Sequence, residues 1–435
     1  MHDNPHYNRN QNRENMMPMI FLTGSLLILV SVLYIVMLGA GKRTDGNLSD
    51  SDPESGYVSA VEAAAEPEPK VKPEVLSLAG DPLADKLDAL FTEKKAANVS
   101  IAVIEDGYVT RHYEYGYKDI NTQEPMTPKT KMRVASLSKI VATMTAMTLY
   151  DSGDLDLNLN IEDYLGFPVR GSRADIPITT RMLMSHTSSL IDSEASMNAS
   201  SAPLSSIVKG LKSNELSPGG FWYANMNFGI MGAEVEHITG KYFQDYTRDV
   251  IVAPMGLDCG YDSACMNEPS DFAELYYYKK NRGYSIEAHK KAKARRAVGE
   301  GWLLPFGAFM SSSTELAEIV TVLINDGEYE GLRILSPDAV ALMETPVVSV
   351  TEEGIPGVTF GQCLGLRRNN VFGREIYYHN GNAYGVASLL AYDKQNRCGV
   401  IIITSGTELT RTSESMGIYT ACYAVADIIF SNLSS

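Results

Sequence analysis

Apolar positions in Pro82 to Ala96 (PLADKLDALFTEKKA) place Leu83, Leu87 and Leu90 on one face and predict a helix. Two short strands follow, Val99 to Ile104 and Tyr108 to Tyr115. They meet at Asp106-Gly107, and an Asp-Gly pair between apolar runs selects a tight hairpin turn. From Ser136 to about Val347 the pattern is mostly helical or loop-like. Helices are predicted over Ser136 to Tyr150, closed by Gly153, and over Ser313 to Ile324, closed by Gly327. Strands return at Thr359 to Leu366, Arg374 to His379, Val386 to Tyr392 and Gly399 to Thr404, before a last helix over Glu414 to Phe430.

Strands at both ends with helices between them point to one sheet built from both chain termini, plus a helical lobe. Most sheet connections are short, so antiparallel pairing is expected over repeated crossovers. The expected class is therefore mixed α/β (α+β): an antiparallel sheet flanked by helices, with a mostly helical lobe. A cleft between the two parts is the natural ligand site.

The globular pattern starts only at Asp81, giving one domain over residues 81–435. After a short polar tail, residues 1–18, the stretch Met19 to Gly41 has no charged side chain. That length of apolar helix crosses a hydrocarbon core of roughly 30 Å, and it exceeds the apolar core of a cleaved signal peptide. An uncleaved transmembrane helix over residues 19–41 is expected. Arg9 and Arg13 precede it while Lys42 and Arg43 follow, so charge leaves its orientation open. Residues 42–80 form an acidic linker: Asp45 to Glu74 carries eight carboxylates against Lys70 and Lys72, a net of −6 within the chain's −16. With so little apolar surface to bury, the linker is expected to stay disordered.

An acidic chain is a poor partner for nucleic acid, which needs a basic face. The local exception is His289 to Ala297 (HKKAKARRA), either a solvated face or a local site for an anionic group. Five cysteines are too few for a disulfide scaffold. Cys259 and Cys265 are close enough in sequence to pair in an exported domain, whereas Cys363, Cys398 and Cys422 lie in apolar runs and read as buried thiols. No metal-ligand spacing occurs, so neither metal nor cofactor is expected.

Candidate chemistry lies in three places. In RVASLSKIVAT (Arg133 to Thr143), Ser136 and Lys139 are one helical turn apart and share a face. An amine beside a hydroxyl takes its proton when burial disfavours the ammonium. The helix start favours a developing alkoxide, and the Ser136 N–H can serve as an oxyanion donor. FWYANMNFGIMG (Phe221 to Gly232) offers the Tyr223 hydroxyl and the Asn225 amide two residues apart. YYHNGNAYG (Tyr377 to Gly385) ends a strand with His379 just before Gly381. Each has a bland reading, as capped helix, buried aromatic or strand-end histidine.

In this order and spacing the three segments resemble the serine β-lactamase and penicillin-binding-protein family. The resemblance is to its class C β-lactamase, D-alanyl-D-alanine carboxypeptidase and esterase branch. Ser136-Leu137-Ser138-Lys139 matches the first motif, Tyr223-Ala224-Asn225 the second, and His379-Asn380-Gly381 the third in a His-x-Gly form. Met182 to Leu190 (MLMSHTSSL) resembles a further family stretch, with Ser189 where glycine is usual, and His186 there reads as structural. The resemblance implies a β-lactamase/transpeptidase-like fold, Ser136 as nucleophile, and proton transfer by Lys139 and Tyr223. It implies substrate binding by Asn225, His379, Asn380, Gly381 and Asn382, with the Ser136 and Asn382 N–H groups as oxyanion hole. His379 is expected to supply a hydrogen bond or a positive charge. Asn380 in place of threonine weakens the expectation of carboxylate recognition there.

The function expected is a membrane-anchored serine hydrolase with an extracytoplasmic catalytic domain. Its implied substrates are cell-wall peptides ending in D-amino acids, or β-lactams. The alternatives are an esterase or D-amino-acid amidase of the same fold, and a non-catalytic wall-peptide-binding protein.

Overall fold

The computed structural model describes residues 72–170, 175–192, 202–213, 219–267 and 271–433. The expected membrane segment 19–41 and most of the acidic linker lie outside these. Among the described residues no helix is long and apolar enough to cross a membrane. The last linker residues pack on the domain: Lys72 pairs with Glu318 and Glu330, and Leu76–Ser77 forms strand β1.

Helix α1 (Pro82–Lys94) follows, capped by Asp81, whose carboxylate accepts from the Leu83 N–H at 2.7 Å. Strands β2 (Asn98–Glu105) and β3 (Tyr108–Asp119) form the expected hairpin, with Asp106 at φ 51° and Gly107 at φ 82°, the positive values that tight hairpin turns require. At the other end come β4 (Val348–Thr351), β5 (Thr359–Gln362), β6 (Arg367–Val371), β7 (Arg374–Ala383), β8 (Val386–Asp393) and β9 (Cys398–Ser405). The sheet order is β1-β3-β2-β9-β8-β7-β6-β5-β4, with the short pair Glu124–Pro125 added beside β3. The two chain ends meet at its centre, where β9 runs antiparallel to β2 from Gly399↔Ile104 to Ser405↔Asn98.

One pairing departs from the antiparallel expectation: β1 runs parallel to β3, with Leu76 opposite Arg111, so the sheet is mixed. The chain reaches β3 from β1 through α1 and then β2, so the hairpin return of β3 sets the parallel direction, and a two-residue strand leaves no periodic signal.

The central strands β2, β8 and β9 are mostly apolar and buried along nearly their whole length because both faces are covered. Val99, Ile101, Val103, Val400 and Ile402 pack with α1 and with α5 (Thr420–Asn432). Ala102, Ile104, Ile401 and Ile403 face the other way, into the core shared with the helical lobe. That lobe contains α2 (Ser138–Ser152), α3 (Asn225–Thr239) and α4 (Ser313–Ile324). Helix α4 matches its predicted range and carries a capping box between Ser312 and Glu315.

Several predicted boundaries move, among them those of β5, which ends at Gln362 instead of Leu366, and β3, which runs on to Asp119. Helix α2 starts at Ser138, and Ser136 sits in a separate 3₁₀ turn, Ala135–Leu137. Helix α5 starts at Thr420 because Met416 and Gly417 adopt φ 50° and 75°, which interrupts the helical pattern. Strand β7 runs through the third motif to Ala383 instead of ending at His379. Cys259 and Cys265 are free thiols, and the Cys265 thiol donates to Asp245 Oδ1 at 3.3 Å.

Candidate active site

Ser136 is held by the turn between Arg133 and α2. Ala135 sits at φ 52°, a left-handed conformation costly for a residue with a Cβ. Surrounding bonds over-determine the turn. Ser138 Oγ donates to the Ala135 carbonyl at 2.6 Å, and the Phe309 N–H donates to Ser138 Oγ at 3.0 Å. Ser388 Oγ, from β8, donates to the Val134 carbonyl at 2.9 Å. Strand β7 passes so close that a Cβ on Gly381 would lie 2.7 Å from the Val134 carbonyl oxygen and 2.1 Å from Ser388 Oγ. Only glycine lets the strand lie against the turn.

One turn into the chain from Ser136, Lys139 is fully buried. Its Nζ lies 3.0 Å from Ser136 Oγ, 2.9 Å from Asn225 Oδ1 and 2.7 Å from the Phe306 carbonyl oxygen. The rings of Tyr223, Phe228 and Phe306 surround it at 5.0, 5.7 and 5.8 Å. Burial among these groups lowers its pKa from 10.5 to about 7, against the opposing pull of Asp192. The neutral amine has two hydrogens and one lone pair. Asn225 Oδ1 and the Phe306 carbonyl can only accept, so they take the two hydrogens. The lone pair is then left for the Ser136 hydroxyl, which is the arrangement a general base requires.

Tyr223 donates its hydroxyl to Ser136 Oγ at 2.9 Å, and burial raises its pKa from 10.0 to about 12, so it stays a proton donor at neutral pH. His186 stacks on Tyr223 with ring centroids 4.3 Å apart. Its Nδ1 accepts from the Ala224 N–H at 3.3 Å and from the Asn227 amide at 3.2 Å. Burial holds its pKa well below 6.5, and it positions the Tyr223 segment.

Asp192 was not singled out by the sequence. It accepts from the Asn225 N–H at 2.7 Å, from Asn225 Nδ2 at 2.9 Å and from the Met226 N–H at 2.9 Å. It therefore caps α3 and orients Asn225, whose other amide atom holds Lys139. No local motif could have revealed this, since Asp192 lies over thirty residues from the atoms it binds.

His379 is also buried. Burial first, then the charges of Arg367 and Lys139, keep its pKa well below 6.5. Its Nδ1 donates to the Asn380 carbonyl at 2.6 Å. The ring is neutral with a lone pair on Nε2, so the expected positive charge is absent and the hydrogen-bond alternative is left. Asn380 turns its amide to the Gly417 carbonyl at 3.1 Å. Ser136, Tyr223, Asn225, His379, Asn380 and Asn382 line one cavity of about 1030 Å³. Gly381 backs it as the glycine of β7.

Residues 83–424 match the family model described as Beta-lactamase. The chain belongs to the Beta-lactamase family. It is similar to Protein flp of Staphylococcus aureus (strain COL), 23% identical over 235 residues. That alignment covers 52% of this chain and 45% of flp, so the match spans less than half the length of this curated relative. Among solved structures, the octameric penicillin-binding protein homologue from Pyrococcus abyssi superposes with a TM-score of 0.62 at 22% identity, covering 78% of this chain and 75% of its own. The D-amino acid amidase from Ochrobactrum anthropi SV3 gives 0.59 at 20% identity, covering 80% and 96%. These two show a shared fold.

As a Beta-lactamase family member the chain departs at Ser189, where it lacks the usual glycine. Ser189 nevertheless takes φ 67°, the left-handed conformation that glycine adopts at least cost.

Proposed function

We propose that the protein is a serine hydrolase that forms an acyl-enzyme on Ser136, acting on cell-wall peptides ending in D-amino acids. One observation carries this reading: Ser136 Oγ lies 3.0 Å from Lys139 Nζ and 2.9 Å from the Tyr223 hydroxyl, in an open cavity. The neutral Lys139 amine takes the Ser136 proton as Oγ attacks the substrate carbonyl. The Tyr223 hydroxyl protonates the leaving nitrogen or oxygen, and the Lys139 ammonium re-protonates Tyr223. Water then attacks the ester by the reverse relay, releasing the acid and restoring Ser136. Oxyanion donation falls to the Ser136 and Asn382 N–H groups. We further propose that residues 19–41 anchor the chain in a membrane, with the catalytic domain extracytoplasmic, where such peptides lie.

A fluorophosphonate or fluorescent penicillin should label Ser136 in the full chain and fail to label Ser136→Ala. Absence of labelling by both removes the hydrolase reading and favours a binding protein.

A second reading is an esterase or D-amino-acid amidase. It is favoured by the neutral His379 and by Asn380 being tied to Gly417, which leave no cation and no free hydroxyl in the third motif. Parallel turnover of short esters, D-amino-acid amides and D-Ala-D-Ala peptides separates the two; peptide-only activity removes the second.

A further inference from the structure

Arg133, three residues before Ser136, lines the cavity while only 9% exposed. A guanidinium so buried normally faces a carboxylate, and among the described residues no ion pair reaches it. Nη1 donates to the Tyr284 hydroxyl at 3.2 Å, Nη2 donates to the Gly307 carbonyl at 3.0 Å, and Nε has no partner. Its faces are covered by the rings of Tyr284 and Tyr384, 5.1 and 5.2 Å from the guanidinium carbon. Five N–H donors with two acceptors leave the group under-satisfied.

The other two guanidiniums in the cavity wall, unlike Arg133, each reach a carboxylate. Glu352 accepts from Arg367 at 2.9 Å and from Arg411 at 2.8 Å. Near Arg133 the surroundings add positive charge instead. Lys293 Nζ donates to the same Tyr284 hydroxyl at 3.1 Å. Burial pushes the Tyr284 phenol up, and the charges of Arg133 and Lys293 more than offset this, leaving its pKa below the usual value. Glu274, which accepts from the Ile286 N–H of the same segment, is held by Arg282 at 2.7 Å. From Lys279 to Arg296 the chain carries eight lysines and arginines against Glu287 alone, +7 in a protein of net charge −16. This segment packs on the cavity rim: a Cβ on Gly283 would lie 2.1 Å from the carbonyl oxygen of cavity-lining Tyr384.

We infer that the Arg133 wall is an anion subsite, and that the preferred substrate carries a carboxylate on a group that docks beside Ser136 against Arg133, Tyr384 and Tyr277. This rests on the hydrolase reading and names its substrate class. The basic segment raises the local concentration of such substrates around an acidic protein. It also gives the sequence's one basic run a role: Lys293 joins the surface charge to the cavity through Tyr284.

The test compares two esters of equal reach, the mono-p-nitrophenyl ester of glutaric acid and its methyl-capped neutral counterpart, with the full chain. The readout is the ratio of their kcat/KM values within each variant, which partial misfolding does not alter. The wild type should favour the anionic ester by about tenfold or more, the scale of one charge-assisted contact, and the preference should fall as salt is raised. Arg133→Gln should bring the ratio to about one, Arg133→Lys should restore part of it, and Lys293→Gln should lower it. If Arg133→Gln does not fold, the salt series and Lys293→Gln decide. Equal turnover of both esters by the wild type, or a preference that ignores both substitutions and salt, overturns the subsite alone. No turnover of either ester, with Ser136 unlabelled by fluorophosphonate, overturns the subsite and the hydrolase reading together.

Discussion

Lys139 approaches Ser136 with its amine 3.0 Å from the hydroxyl oxygen and with two carbonyl-type oxygens taking the rest of its hydrogen-bonding capacity. This polarity ties the pH response of the site to one group. With a pKa of about 7, Lys139 is protonated below neutrality and is then no longer a base. The acid limb of kcat/KM for an uncharged ester should therefore rise through about pH 7 and level above it. A flat profile between pH 6 and 8 would remove Lys139 as the base.

The same burial has a stability signature. Between about pH 7 and the unfolded lysine value near 10.4, the unfolded chain holds one more proton than the folded one. Wild-type stability thus gains from this group as pH rises, and the full cost of the buried ammonium is felt below pH 7. Lys139→Met lacks that slope. Its stability relative to the wild type should decline by about 1.4 kcal/mol per pH unit over this window, as read from urea unfolding at pH 7 and 9.

Asp192 should matter through Asn225 and Lys139. Asp192→Asn removes charge-assisted bonds to the start of α3, at a cost of about 1–2 kcal/mol. It also removes the charge that, among the described residues, opposes the fall in the Lys139 pKa. The acid limb should move to lower pH, a change that helix destabilisation alone does not produce.

Tyr223→Phe deletes the hydroxyl 2.9 Å from Ser136 and leaves the His186 stacking in place. Turnover should drop by about 10²–10⁴-fold, with thermal unfolding changed little. Loss of the fold instead of the activity would reassign Tyr223 to structure.

Gly381→Ala should damage both. The new Cβ collides with the Val134 carbonyl and Ser388 Oγ, forcing β7 off the turn that carries Ser136. Overpacking of this kind costs about 1–3 kcal/mol. Acylation of Ser136 should fall further than stability does, since small displacements at a nucleophile are costly. Unchanged labelling kinetics in the folded variant would show that this contact does not set the Ser136 geometry.

The sequence alone carried the local features: the Asp106-Gly107 hairpin, helix α4, the mostly apolar β2, β8 and β9, and the three motif segments. Each is written in neighbouring residues, where periodicity and turn chemistry act. The parallel docking of β1 rests on a two-residue strand, and the late start of α5 on two left-handed residues at Met416 and Gly417, neither visible as a periodic pattern. The convergence itself was decided only by the fold. Asp192 reaches Asn225, Glu352 bridges Arg367 and Arg411, the Phe306 carbonyl binds Lys139, and His379 loses its charge to burial. These depend on distances between residues far apart in the chain and on the exclusion of water, and only packing sets those quantities.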